Sequence, residues 1–157
     1  MEKEKHLAQK FRTAIETAKK ERKFAKQTRF LRFPDECCDM TCDLLGYYLY
    51  KNKIETHQIN CACKADVSRR HVWLETDSGL IIDITGDQFN DKLPLLRPVS
   101  PVYVGRETEL HKLFCLNKIC EENTNFTDEE CFYGFGKQPS RRQKDLKDLY
   151  EIIERYL

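Results

Sequence analysis

Pro34-Asp35-Glu36-Cys37-Cys38-Asp39-Met40-Thr41-Cys42-Asp43-Leu44-Leu45-Gly46-Tyr47-Tyr48-Leu49 reads as one helix that belongs inside the protein. Cys38, Cys42, Leu45 and Leu49 recur at steps of three and four, and Met40 and Leu44 widen that stripe over most of the circumference. A proline disfavours helical geometry in the residue before it and suits a helix's first turn, so the helix is expected to begin near Pro34 or Asp35 and to run to about Lys51. Cys37 and Cys38 then fall in its first turn.

Upstream, Leu7, Phe11, Ala14, Ile15 and Ala18 repeat at helical spacing between charges, which predicts an amphipathic helix from about Glu4 to Lys26 within the first 30 residues. Lys19, Lys20, Arg22, Lys23, Lys26, Arg29 and Arg32 crowd this segment and read as a solvated helix face. Downstream, β-rich runs occupy Glu55 to Ala62, His71 to Glu75, Leu80 to Ile84 and Val102 to Val104. The turn residues Asp77-Ser78-Gly79 make the second and third of these a hairpin. Leu110 to Cys115 suggests a short helix, and Asn123 to Asp128 a loop ahead of the aromatic Phe132-Tyr133-Gly134-Phe135-Gly136. Ser140 and Gln143 form a capping box ahead of Leu146, Leu149, Tyr150, Ile153, Tyr156 and Leu157, so a packed helix is expected over 140–157. Helix, helix, strands, helix is an α+β order, and 157 residues suit one domain.

Composition narrows the functional classes. Hydrophobic residues at 40% and charged ones at 34% are an ordinary globular balance. With 27 basic and 26 acidic residues the net charge is +1, so neither nucleic acid nor an anionic membrane is an expected partner. The start Met1-Glu2-Lys3-Glu4-Lys5 has no apolar leader, and no run approaches the roughly 18 apolar residues of a membrane span. A cytoplasmic location is therefore expected, where eight cysteines are thiols rather than disulfides. Cys42, Cys61, Cys63, Cys115, Cys120 and Cys131 read as small core hydrophobes. Cys37, Cys38, Cys42, His57, Cys61 and Cys63 lack the paired Cys-x-x-Cys spacing of common zinc sites, so no metal is expected. The chain is glycine-poor and has no phosphate-cradling loop, and no cofactor is expected either.

A thiol at a helix start, a histidine to take its proton and an acid to orient that histidine make a nucleophilic constellation. Cys38, His71 and Asp83 supply these groups, and the hairpin turn returns Asp83 toward His71. Cys37 stays open as a second candidate about 100° around the helix, with helix face favouring Cys38. Trp73 shares His71's side of an alternating strand and either walls a site or belongs to the core. Gln88 and Phe89 either shape a cleft or close the strand, while His6, His57 and His111 receive no chemistry.

The segments Glu36-Cys37-Cys38-Asp39-Met40-Thr41-Cys42, His71-Val72-Trp73-Leu74-Glu75 and Ile81-Ile82-Asp83-Ile84-Thr85 resemble the Cys, His, Asp series of papain-like and transglutaminase-like cysteine enzymes. The resemblance covers about residues 33 to 90. It implies a nucleophile-bearing central helix packed on a small antiparallel sheet, with helices added at both ends. It also implies a hydrolase that attacks an amide or thioester of a protein or peptide through an acyl-enzyme. The transglutaminase-like pattern has glycine two residues before the nucleophile and a small residue four after it; Glu36 and Cys42 stand there. An oxyanion in such an enzyme needs two donors, for which the Cys38 amide and the Gln27 side chain are candidates. Release to an amine instead of water would make a transglutaminase or acyltransferase, and loss of the chemistry would leave a protein-binding module.

Overall fold

The computed structural model describes residues 1–93, 95–121 and 140–157. Helix α1 is Glu2–Lys20, and α2 is Cys38–Lys51. Strands β1 (His57–Ala62), β2 (Arg70–Glu75), β3 (Ile81–Asp83) and β4 (Tyr103–Gly105) follow, then α3 (Glu109–Leu113), β5 (Leu116–Glu121) and α4 (Arg141–Glu154). The five strands form one antiparallel sheet in the order β4-β3-β2-β1-β5. The architecture is α+β. The expected loop at 123–128, the aromatic segment 132–136 and Cys131 lie outside the described residues.

Side chains alternate across a strand, so each face of the sheet collects its own core. Val72, Leu74 and Ile82 face the helices and pack with Leu7, Phe11 and Ile15 of α1, Leu44, Leu45 and Leu49 of α2, and Leu149 and Ile153 of α4. The opposite face carries Ile59, Cys61, Trp73 and Ile81, covered by Phe89, Leu110 and Phe114 from the connections. α4 begins with the capping box its sequence announces: Gln143 N–H donates to Ser140 Oγ at 3.2 Å, and Ser140 N–H to Gln143 Oε1 at 2.7 Å.

Several expectations need correction. α1 stops at Lys20 rather than Lys26, because Arg22 takes a left-handed φ of 57° that a right-handed helix cannot include. Glu36, also at φ 57°, postpones α2 to Cys38, and Pro34 lies in the preceding turn after a cis Phe33–Pro34 peptide. The basic run is solvated, Lys19 alone being half-buried with its Nζ donating to Phe33 O at 2.6 Å, but it is not one helix face, because α1 ends at Lys20 and the rest follows in turns. Arg12, in the middle of α1, is buried. Its two terminal nitrogens each donate to one oxygen of Asp87 at 2.9 Å, and Nη1 also reaches Ile84 O at 2.5 Å. Cys42, Cys61 and Cys63 are core residues, but Cys115 precedes β5, Cys120 lies in it, and both are exposed. Among the described residues no helix is long and apolar enough to cross a membrane.

Candidate functional site

Cys37 and Cys38 are neighbours in sequence with different surroundings. Cys37 is the N-cap of α2 and is fully buried, with Sγ 3.5 Å from Pro34 O and accepting from Thr41 Oγ1 at 3.6 Å. Burial pushes its thiol up to about 12, so this sulfur stays protonated in ordinary conditions. Cys38 is the first residue of α2 and lines a cleft of about 560 Å³. Cys37 caps the helix with no side-chain hydrogen bond, so the amides of the first turn have no intrahelical acceptor and point toward that end. Of the two thiols, the helix presents Cys38 to the cleft.

His71 and Asp83 lie on the sheet face that turns away from α1, α2 and α4. β2 and β3 pair Leu74 with Ile82 and Glu75 with Ile81, a register that carries Asp83 alongside Trp73 and within reach of His71. His71 Nε2 stands 2.8 Å from Asp83 Oδ2, and both side chains are buried. Burial alone would strip the proton from His71. The charge and hydrogen bond of Asp83 outweigh it, with a further contribution from Cys38, and the histidine's pKa is raised. Burial likewise opposes ionisation of Asp83, but His71 and His111 hold its pKa far below the usual carboxylate range. With Nε2 committed to Asp83, Nδ1 is the nitrogen left for Cys38. It closes no ordinary hydrogen bond among the described residues.

Asp83 is held from three sides. Its Oδ1 accepts from Thr85 N–H at 2.9 Å, while its Oδ2, already bonded to His71, also lies 3.4 Å from His111 Nε2. Thr108 N–H and Oγ1 lie 3.3 and 2.7 Å from His111 Nδ1, which leaves Nε2 as the nitrogen facing Asp83. His111 is buried and packs edge-on against Trp73 at 5.0 Å. Sequence reasoning passed over it because Glu107, Glu109 and Lys112 around it suggested a surface; the sign it offered was Leu110 and Leu113 beside it, an apolar edge on a short helix. Gly86 is required here, since a Cβ on it would stand 2.6 Å from Asp83 Oδ2.

The remaining candidates separate. Trp73 is 3% exposed and packs against the rings of both histidines, so it belongs to the core and does not line the cleft. Gln88 does line it: its Oε1 accepts from Glu36 N–H at 3.4 Å and its Nε2 donates to Thr85 O at 2.8 Å. Phe89 lines the cleft too and lies 4.9 Å from the His71 ring. Gln27 is elsewhere, on a groove with Lys23, Asp148 and Arg155 beside α4, because the chain turns away after α1 ends early. Among the described residues no three His, Cys, Asp or Glu side chains converge as a metal site requires. Thus Cys38 opens to the cleft, and His71, Asp83 and His111 lie buried beneath it. Compared with family models, curated proteins and solved structures, the chain finds no match.

Proposed function

We propose that this chain is a cysteine hydrolase of the papain-like and transglutaminase-like kind, cleaving an amide or thioester of a protein or peptide, with Cys38 as nucleophile, His71 as acid and base, and Asp83 as the group that orients His71. The observation that carries this reading is the order of contacts. A cleft-lining thiol at a helix start adjoins a buried histidine whose other nitrogen is 2.8 Å from a carboxylate. The conformation of Glu36 adds support, because the resemblance expects glycine there and the residue adopts φ 57°, the left-handed region that glycine enters most easily.

In this reading the Cys38 thiolate attacks the carbonyl carbon, forming a C–S bond and moving the π electrons onto oxygen. The Cys38 amide serves as one donor to that oxyanion, and Gln88, a side-chain amide that lines the cleft, takes the place of Gln27 as the second. Protonated His71 gives the Nδ1 proton to the leaving nitrogen as the C–N bond breaks. Water then attacks the thioester, loses a proton to Nδ1, and releases the acid and the thiolate. An amine in place of water would give transfer by the same steps. The cytoplasm, where such a thiol stays reduced, is the setting proposed for it.

The test is iodoacetamide labelling of each cysteine against pH, read by mass spectrometry, in wild type, His71→Ala and Asp83→Asn. Cys115 and Cys120 are exposed and serve as internal references. Strong labelling of Cys38 below pH 7, faster than both references and lost in His71→Ala, is expected. A Cys38 no faster than Cys115 and indifferent to both substitutions would overturn the proposal.

A further inference from the structure

We infer that the cleft over Cys38 receives an acidic peptide, with Arg70 binding a substrate carboxylate; this rests on the hydrolase reading and narrows its substrate class. The charged side chains of the cleft are Arg29, Arg69, Arg70, Lys92, Glu36 and Asp39, four positive and two negative. Both acids are already engaged. Asp39 lies 3.0 Å from Arg29 and 3.2 Å from Arg142, and Glu36 pairs with Arg32. Lys92 is taken by Asp35, and Arg69 has Asp66 at 3.8 Å and Lys92 O at 3.2 Å.

Arg70 differs from all of these. It is the first residue of β2, directly before His71, and it is exposed. Its Nε donates to Asn60 Oδ1 at 2.9 Å, and among the described residues no carboxylate lies within ion-pair distance of it. That single bond orders the guanidinium, and its two terminal nitrogens, which have no partner among the described residues, form the fork that accepts a carboxylate in two parallel hydrogen bonds. The uncapped start of α2 opens on the same cleft and adds positive potential. Val72 and Phe89 give the remaining wall an apolar character, which suits a peptide side chain beside the acidic one. One free fork in a cleft of about 560 Å³ matches one acidic residue of a peptide, not the phosphate ladder of a nucleic acid, for which the chain's net charge of +1 offers no field.

Charge preference is measurable without a substrate. Cys38 of the full chain is alkylated by iodoacetate, an anion, and by neutral iodoacetamide, at one pH and two salt concentrations, with Cys115 as the internal reference. The iodoacetate-to-iodoacetamide rate ratio is expected to be roughly tenfold higher at Cys38 than at Cys115, and to shrink with salt. Arg70→Gln should bring the Cys38 ratio down to that of Cys115, while Arg70→Lys keeps most of it. Protection from iodoacetamide should be greater with tetraglutamate than with tetraglutamine or inorganic phosphate.

Equal ratios at the two cysteines, or a raised ratio untouched by Arg70→Gln, would overturn the inference. Protection by phosphate without protection by tetraglutamate would overturn the peptide assignment. The hydrolase reading fails separately, by a Cys38 that is slow toward both reagents whatever their ratio.

Discussion

The sheet buries both faces, but with different materials. Toward the helices it presents Val72, Leu74 and Ile82 to an apolar core. On the other side, among Trp73, Phe89 and Phe114, it buries His71, Asp83, Thr85 and His111. Apolar burial is favourable without conditions, whereas an ion pair taken out of water returns its desolvation cost only if every partner is in place. The helical face therefore holds the fold together, and the polar face carries a constellation that stability alone does not call for.

The comparison breaks most visibly at Asp83. Asp83→Ala leaves His71 without its counter-charge and is expected to cost about 3–5 kcal/mol in urea unfolding. The double variant His71→Phe/Asp83→Leu should be more stable than that single one, because no orphaned charge remains, yet it should abolish fast labelling of Cys38. A double variant as unstable as the single would mean that the polar cluster is structural.

Leu74→Ala, on the helical face, should cost about 2–5 kcal/mol by leaving a cavity. Under folding conditions the pH profile of Cys38 labelling should not change. A shifted profile would show that the two faces are not separable.

The pH dependence of stability is expected to be smaller but directional. His71's pKa is raised by folding, so its contribution is complete below about pH 6.5 and is lost as pH climbs through the folded value above that. Asp83's is lowered, so its contribution is complete above about pH 3.9 and is lost as pH falls toward its folded value. Urea midpoints of wild type should therefore fall away on both sides of that window, and more steeply than those of His71→Phe/Asp83→Leu.

Glu36→Gly is the mildest change, worth less than about 1 kcal/mol, since it relieves a left-handed residue but frees the unfolded chain. Labelling of Cys38 should survive it. Loss of labelling would show that the Glu36 side chain itself serves the site.

The parts legible in the sequence were those set by local periodicity and turn chemistry: the amphipathic α1, the capped α4, the β2–β3 hairpin with its contact between His71 and Asp83, and a helix start at Cys38. What escaped depends on distant partners. Glu36 and Arg22 carry no residue signature for a left-handed backbone, yet each moved a helix boundary. Leu116-Asn117-Lys118-Ile119-Cys120-Glu121 lacks an alternating pattern because, among the described residues, it pairs on one side alone, and 116–120 are exposed. Arg12 was one basic residue among many until Asp87, 75 positions later, met it. His111 is intelligible only once Asp83 lies beside it.

The clasp between Arg12 and Asp87 makes the first helix inseparable from the turn that follows Asp83. Among relatives of this chain the two positions should vary as a pair, the arginine disappearing only where the aspartate does. A lineage that shed the first helix would have to find another support for residues 84–87, the turn on which the placement of Asp83 beside His71 depends.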